Sequence, residues 1–261
     1  FTATWRDRNG QTRTFDRERA EHLCAALQGK HGVLSEVKRT LRQAPPPAAY
    51  DLTELQRDAN RKYAYSAKET LSLMQSLYER HKLLTYPRTD SRYISDDVVS
   101  TLPERLKSVM VDEYRDLARA ILMKRPLQTR FLVDNARVTD HHAILPTEEQ
   151  PELFRLSGPE RNIYDLVVRR FLAVLLPPCE YEETRLTLTV GGETFTARGK
   201  IMKEPGWRAA YGLFLLEEDE EEEGEEREQS LPPLRQGDSV EVLSARVSTG
   251  KTAPPKRYTE A

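Results

Sequence analysis

The chain has 261 residues, of which 38% are hydrophobic and 31% charged, with a formal net charge of -2. This length suffices for one large domain or two ordinary ones with a buried core, and we expect two. No apolar run approaches the roughly 18 residues that would suggest a bilayer span, so we expect no membrane partner. Because the sequence opens without an initiator Met or a secretory signal, we expect an excised fragment of a cytoplasmic protein.

The acidic side chains are concentrated in one run. Residues 217–228 hold ten acids and one base, and without them the chain carries 39 basic and 32 acidic side chains, a net charge of +7. The run has too little apolar content to pack, so we predict a disordered loop at about 217–229. A moderately basic remainder suits a polyanion such as nucleic acid, although many solvated surfaces are equally basic.

The two cysteines predict no metal site. Cys24 and Cys179 are too few and too far apart for a zinc pair or a disulfide framework, which fits inert thiols in a reducing cytoplasm. We therefore expect no structural metal in this chain.

The first part of the chain predicts a β-rich region. Alternating apolar residues in 1–15, interrupted by Asn9-Gly10, predict a hairpin with a tight turn. A helix at about 16–27 and a strand at about 33–41 follow. The three prolines at 45–47 can continue neither a helix nor a central strand, so they place a domain boundary near residue 48.

A helical pattern follows from residue 49 to residue 177. Pro103 suits a helix start, 112–124 is amphipathic, and Pro177-Pro178 ends the last helix. Three pairs can form capping boxes at helix starts: Thr53 with Gln56, Ser66 with Glu69, and Ser157 with Glu160.

Alternation returns on both sides of Gly191-Gly192 and predicts a second hairpin. We therefore predict an α+β fold. In it, a β-rich domain is split between residues 1–48 and 178–261, and a mainly helical domain, 49–177, is inserted between the two parts.

Candidate chemistry lies just after a predicted helix, at Tyr86 and Arg88. Pro87 disfavours helical torsions at Tyr86, so the chain should be extended there, with Tyr86, Arg88 and Asp90 on one face. A phenol with a pKa of about 10 is a poor nucleophile at neutral pH, and a guanidinium can supply the positive field it needs while gripping a phosphodiester. From spacing alone, a half-buried aromatic and a surface cation remain the commoner interpretation.

Residues 84–91, Leu-Thr-Tyr-Pro-Arg-Thr-Asp-Ser, resemble the active-site signature of type IA DNA topoisomerases. In that family the tyrosine forms a 5′-phosphotyrosyl link to one DNA strand, which implies that Tyr86 is the nucleophile and Arg88 a second catalytic residue. Residues 61–81 are similar to the family's helix that leads into the tyrosine, and 254–261 to its passage out of the β arch. The inserted helical domain would then carry the tyrosine.

A second motif, at residues 140–147, is similar to the family's His-x-Ala-Ile-x-Pro element. The first histidine of that element contacts DNA near the cleaved phosphate, which implies a DNA-binding role for His141. Adjacent histidines point in different directions, so His141 and His142 make a poor metal pair. Arg92 is either a phosphate contact or a solvated arginine. Both motifs resemble the topoisomerase III branch more than the topoisomerase I branch.

The resemblance also implies what lies elsewhere. Family members have an N-terminal domain with clustered carboxylates that bind Mg²⁺, and nothing here resembles it, so we expect Mg²⁺ in the parent enzyme and no cofactor in this fragment. We expect a monomer that engages single-stranded DNA in the nucleoid of a bacterial cytoplasm. In the full enzyme, cleavage, strand passage and religation would follow, whereas the fragment alone should not relax supercoils.

Two other functions remain open. A basic helical module could hold single-stranded DNA without any chemistry. A relaxase-type tyrosine nuclease would need two histidines spaced to share one metal ion, a spacing that His141-His142 does not have.

Overall fold

A computed structural model of the protein describes residues 1–212 and 229–251. The acidic run 217–228 and the motif at 254–261 therefore lie outside the described residues. Within the described ranges, no helix is both long and apolar enough to cross a membrane. Helices and one antiparallel sheet are both present, so the predicted α+β class is confirmed.

The chain divides into two compact units. One contains Phe1–Gln43, Glu180–Glu204 and the described residues 229–251, and the other contains Ala44–Cys179 and residues 205–212. A short helix, Gly206–Ala210, belongs to the second unit, although the sequence had grouped it with the β-rich part. One contact that holds this helix in the second unit is the hydrogen bond from the indole N–H of Trp207 to the Ala44 carbonyl, at 3.0 Å.

The first unit is a five-stranded sheet with strand order β1-β4-β3-β2-β5. The strands are β1 (Thr4–Arg6), β2 (His31–Ala44), β3 (Cys179–Val190), β4 (Glu193–Glu204) and β5 (Ser239–Glu241). Strands β3 and β4 form the predicted hairpin around Gly191-Gly192, whose positive φ values of 58° and 84° fit a tight turn made by glycine. One face buries Leu34, Leu186 and Leu188 in the core of this unit.

The predicted N-terminal hairpin is wrong. Strand β1 pairs with β4, with Thr4 opposite Thr196, instead of with residues 12–15. After β1 the Asp7 carboxylate accepts hydrogen bonds from the backbone N–H of residues 9 and 11, which closes a small turn. Asp16 then caps α1 (Arg17–Leu27), the helix that the sequence predicted at about 16–27, and residues 12–15 form no strand.

The second unit contains five α-helices in its described part. They are α2 (Leu52–Tyr63), α3 (Ala67–Gln75), α4 (Leu102–Ser108), α5 (Arg115–Met123) and α6 (Gly158–Val174). Helix α6 lies in the core, where Ile163, Val167 and Phe171 are buried. Buried residues of the other four helices belong to the same hydrophobic core.

Three of these helices, α2, α3 and α6, begin at a residue whose side chain caps the first turn. Ser157 and Glu160 form the complete capping box predicted for α6, and Pro103 lies in the first turn of α4. Ser66 caps α3 by accepting from the Glu69 N–H at 3.1 Å. The box predicted from Thr53 is wrong because the Asp51 carboxylate caps α2 two residues earlier.

Candidate active site

Helix α3 ends in an unusual way just before Tyr86. It continues into a π-helical turn at Ser76–Arg80, in which the His81 N–H donates to the Ser76 carbonyl at 3.1 Å. Lys82 then adopts a left-handed conformation with φ of 59°, and the Leu83 N–H closes the end on the Leu77 carbonyl at 2.9 Å. The chain therefore leaves the helix at Lys82, earlier than Pro87 would require, and π turns of this kind are frequent at functional sites.

The extended segment 83–91 pairs with segment 141–147. The Thr85 N–H donates to the Leu145 carbonyl at 2.9 Å, and the Leu145 N–H donates to Thr85 Oγ1 at 2.9 Å. At the two ends, the Thr147 N–H donates to the Leu83 carbonyl and the Thr89 hydroxyl to the His141 carbonyl. These bonds bring together the two motifs that the sequence singled out.

Exposure alternates along this segment. Tyr86, Arg88 and Asp90 are exposed, whereas Pro87 and Thr89 are buried, and the backbone bends at Pro87. The alternating exposure agrees with a shared face for the first three, which stays a prediction.

Tyr86 is held between two rings and remains accessible. Its ring centroid lies 4.3 Å from that of His141, with the planes tilted by 39°. Tyr78, on the π turn, meets Tyr86 edge-on with centroids 5.6 Å apart and planes at 84°. Because 36% of the Tyr86 surface remains exposed, a ligand can reach it.

Arg88 is an exposed cation two residues after Tyr86. Within residues 1–212 and 229–251 it has neither an ion-pair nor a hydrogen-bond partner. Asp90, farther along the same segment, accepts a hydrogen bond from Thr139 Oγ1 at 3.0 Å. The guanidinium is therefore available to an external anion.

Arg92 and His142 are placed differently from Arg88 and His141. Arg92 Nε donates to the Ala49 carbonyl at 3.3 Å, and one terminal nitrogen lies 3.8 Å from the Glu54 carboxylate. These contacts favour a role in holding the chain near α2. His142 is half-buried, and its Nδ1 has no hydrogen-bond partner among the described residues.

Glu160 supports the π turn from behind. Its Oε1 accepts from Ser76 Oγ at 2.6 Å and lies 3.3 Å from His81 Nε2, while its Oε2 completes the capping box with Ser157. Burial by itself would raise the pKa of Glu160, but the hydrogen bonds from Ser76 and Ser157 and the nearness of His81 outweigh it and lower the pKa to about 2. The carboxylate is thus charged at neutral pH and fixes the helix end that precedes Tyr86.

Three residues of this site were missed from the sequence. The sequence predicted no role for Tyr78 or Lys82, and for Glu160 it predicted only the capping box. Lys82 carries the one signal that could have been noticed, because a basic residue ending a helix without a following glycine has to supply the left-handed position itself.

No metal site is found in the described part of the chain. Among residues 1–212 and 229–251, no group of three or more His, Cys, Asp or Glu side chains could hold an ion. These residues therefore do not fit the Mg²⁺ that the family resemblance implies for the parent enzyme.

Comparison with known proteins gives a consistent result. A family model described as DNA topoisomerase matches residues 2–261. DNA topoisomerase 3 of Bacillus licheniformis is 48% identical over 261 residues, which are all of this chain and 35% of that protein. DNA topoisomerase 3 of Bacillus subtilis is also 48% identical over the whole chain, which covers 36% of it. The chain thus spans about a third of the length of these relatives.

A solved structure shares the fold. Full-length topoisomerase I from Thermotoga maritima superposes with a TM-score of 0.63 at 23% identity, covering 92% of this chain and 36% of the other.

Proposed function

Because the chain belongs to the DNA topoisomerase family, we propose that it is the part that cuts one DNA strand, with Tyr86 as the nucleophile. The resemblance to type IA enzymes, and to topoisomerase III in particular, is confirmed by the relatives. The observation that carries the proposal is the contact between Tyr86 and His141, which places both motifs at one exposed site.

The proposed step is a transesterification. Tyr86 Oη attacks a backbone phosphorus of single-stranded DNA, the bond from phosphorus to the 3′ oxygen breaks, and the tyrosine becomes linked to the 5′ phosphate. The phenol loses a proton and the departing 3′ oxygen gains one. One phosphodiester replaces another, so the free 3′ hydroxyl can attack the phosphotyrosine and reseal the strand.

Arg88 stabilises the charge that builds on the phosphate during attack. It is exposed two residues after Tyr86, and no carboxylate in the described part of the chain neutralises it. A guanidinium can hold two phosphate oxygens at once, so it also fixes the phosphate in line with the phenol.

His141 orients the phenol and donates a hydrogen bond to the same phosphate. The 4.3 Å separation of the ring centroids positions the imidazole beside the phenol ring. Of the proposed DNA-contacting residues, Arg92 has the least support, because its guanidinium already contacts the Ala49 carbonyl and the Glu54 carboxylate.

We assign the two units to the family's moving parts by resemblance. The sheet unit, which contains Phe1–Gln43, Glu180–Glu204 and residues 229–251, would be the arch that the sequence predicted from 1–48 and 178–261. The helical unit would carry Tyr86 as the gate. Mg²⁺ and the groups that move protons at the tyrosine would belong to an N-terminal domain of the parent enzyme. The whole would act as a monomer on DNA in the nucleoid of a bacterial cytoplasm.

A second candidate function is a module that holds single-stranded DNA without cutting it. The exposed Arg88 beside an accessible aromatic favours binding of a nucleic acid strand even without chemistry. A relaxase mechanism, which needs two histidines on one metal ion, has less support. Within the described residues His141 contacts the Tyr86 ring, whereas His142 does not.

Covalent trapping separates these functions. The chain is mixed with a 3′-labelled single-stranded oligonucleotide, with and without the N-terminal domain of the Bacillus subtilis relative supplied in trans, and the products are denatured. We expect a labelled adduct that requires Tyr86 and disappears in Tyr86→Phe. Bound DNA with no adduct in either mixture would support the binding module, and an adduct that persists in Tyr86→Phe would exclude this nucleophile.

A further inference from the structure

We propose that Lys82 is a further DNA contact, which binds the phosphate next to the one that Tyr86 attacks. The inference rests on the proposed function, because it takes single-stranded DNA at Tyr86 as the ligand. It concerns a residue outside the signature, on the turn that precedes it.

The backbone of Lys82 is constrained in a conformation that lysine rarely adopts. Its φ of 59° lies in the left-handed region, where glycine is favoured because it has no Cβ. Two hydrogen bonds hold this conformation. The Leu83 N–H donates to the Leu77 carbonyl, and the Thr147 hydroxyl donates to the Lys82 carbonyl. Folding alone would favour glycine here, so a lysine at this position indicates a use for the side chain.

The Lys82 side chain points toward the site. Its ammonium lies 5.8 Å from the centroid of the Tyr78 ring, and Tyr78 meets Tyr86 edge-on. The residue is exposed, and within the described part of the chain no carboxylate forms an ion pair with it. A free cation is thus held one aromatic ring away from the nucleophile.

A phosphate is the ligand that suits this position. A DNA strand with one phosphate at Tyr86 and Arg88 has another phosphate one nucleotide away, within reach of a long side chain such as lysine. An ammonium acts as a flexible point charge, so it binds the backbone without reading the bases. Arg88 and Lys82, bound to successive phosphates, would fix the position of the DNA backbone next to the Tyr86 hydroxyl.

Four variants of this 261-residue chain test the proposal. Lys82→Gln removes the charge, Lys82→Arg keeps it, and Lys82→Gly removes the side chain but suits the positive φ. The matched control is Lys62→Gln, because Lys62 also lies over a tyrosine ring, that of Tyr63 at 5.5 Å, which in turn stacks on Tyr65. Binding of a labelled oligothymidylate is measured by fluorescence anisotropy at several salt concentrations, and folding is followed by thermal unfolding.

Loss of one phosphate contact lowers the magnitude of the slope of log affinity against log salt concentration by about 0.7. At 0.1 M salt this corresponds to a loss of affinity of about fivefold. We expect this loss in Lys82→Gln and in Lys82→Gly, with Lys82→Gly unfolding no earlier than the wild type, and near-wild-type binding in Lys82→Arg and Lys62→Gln.

Wild-type affinity and slope in Lys82→Gln would overturn the proposal. So would an equal loss in Lys62→Gln, which would indicate a general charge effect. If the Lys82 effect is present but no Tyr86-dependent adduct forms, the proposed nucleophile fails while the DNA contact stands. A wild-type chain that binds no oligonucleotide would overturn both.

Discussion

The imidazole of His141 lies with its ring centroid 4.3 Å from that of Tyr86, although the two residues belong to separate motifs. The contact depends on backbone pairing between segments 83–91 and 141–147, in which Thr85 bonds to both Ala143 and Leu145. This pairing makes the histidine part of the same site as the phenol and gives the first prediction.

Replacing His141 should impair the chemistry more than the binding. In His141→Ala we expect adduct formation to slow by about a hundredfold, since a donor aimed at developing charge is worth that much, while DNA affinity changes little. The measurement is single-turnover adduct formation alongside anisotropy. His142→Ala is the matched control and should keep the wild-type rate, and equal slowing in both variants would contradict the assignment.

Arg88→Lys tests whether the guanidinium geometry matters. Lysine keeps the charge but loses the planar fork that binds two phosphate oxygens, so we expect adduct formation to fall by about a hundredfold. The salt dependence of DNA binding should stay unchanged because the charge is retained. A wild-type rate of adduct formation in Arg88→Lys would show that charge alone suffices.

The state of the Glu160 carboxylate should make stability depend on pH. Because its folded pKa of about 2 lies below the ordinary value of 4.5, its contribution is fully present above pH 4.5 and is lost as the pH falls through 2. We expect Glu160→Gln to reduce the free energy of unfolding by roughly 1–2 kcal/mol at pH 7.

Urea unfolding at several pH values measures this difference. The gap between the wild type and Glu160→Gln should close between pH 4.5 and 2, and a gap that stays constant over that range would argue against the ionised carboxylate. Since Glu160 holds Ser76 in the π turn, the variant should also slow adduct formation at pH 7.

A largely buried ion pair contributes to the stability of the helical unit. Arg170 bonds to Asp58 at 2.7 Å and lies 4.0 Å from the centroid of the Tyr50 ring. Arg170→Met removes one partner of Asp58, which keeps Arg61 and the Tyr50 hydroxyl, and we expect a loss of about 1–3 kcal/mol in urea unfolding. The control, Arg161→Met, breaks an exposed pair with Asp112 and should cost less than about 1 kcal/mol.

Local signals in the sequence predicted several elements well. The capping box of Ser157 and Glu160 and the hairpin at Gly191-Gly192 were both predicted, because each depends on residues that are near neighbours in the chain. The alternating exposure of residues 86–90 agrees with the two-residue period predicted for an extended chain.

Contacts between distant parts of the chain could not be predicted in the same way. No pattern in residues 1–15 indicates that β1 pairs with β4, since that partner lies far along the chain. Likewise, the bond from Ser76 to Glu160 joins two helices whose packing is a tertiary effect. The link between Tyr86 and His141 came from the family resemblance, because spacing alone favoured neither residue.

The most direct test of the central claim is to locate the covalent bond. The adduct formed with the N-terminal domain in trans is digested with nuclease and protease, and the peptides are sequenced by mass spectrometry. We predict a nucleotide attached through its 5′ phosphate to Tyr86. A nucleotide on Tyr78, Tyr93 or any other residue, with Tyr86 unmodified, would contradict the account.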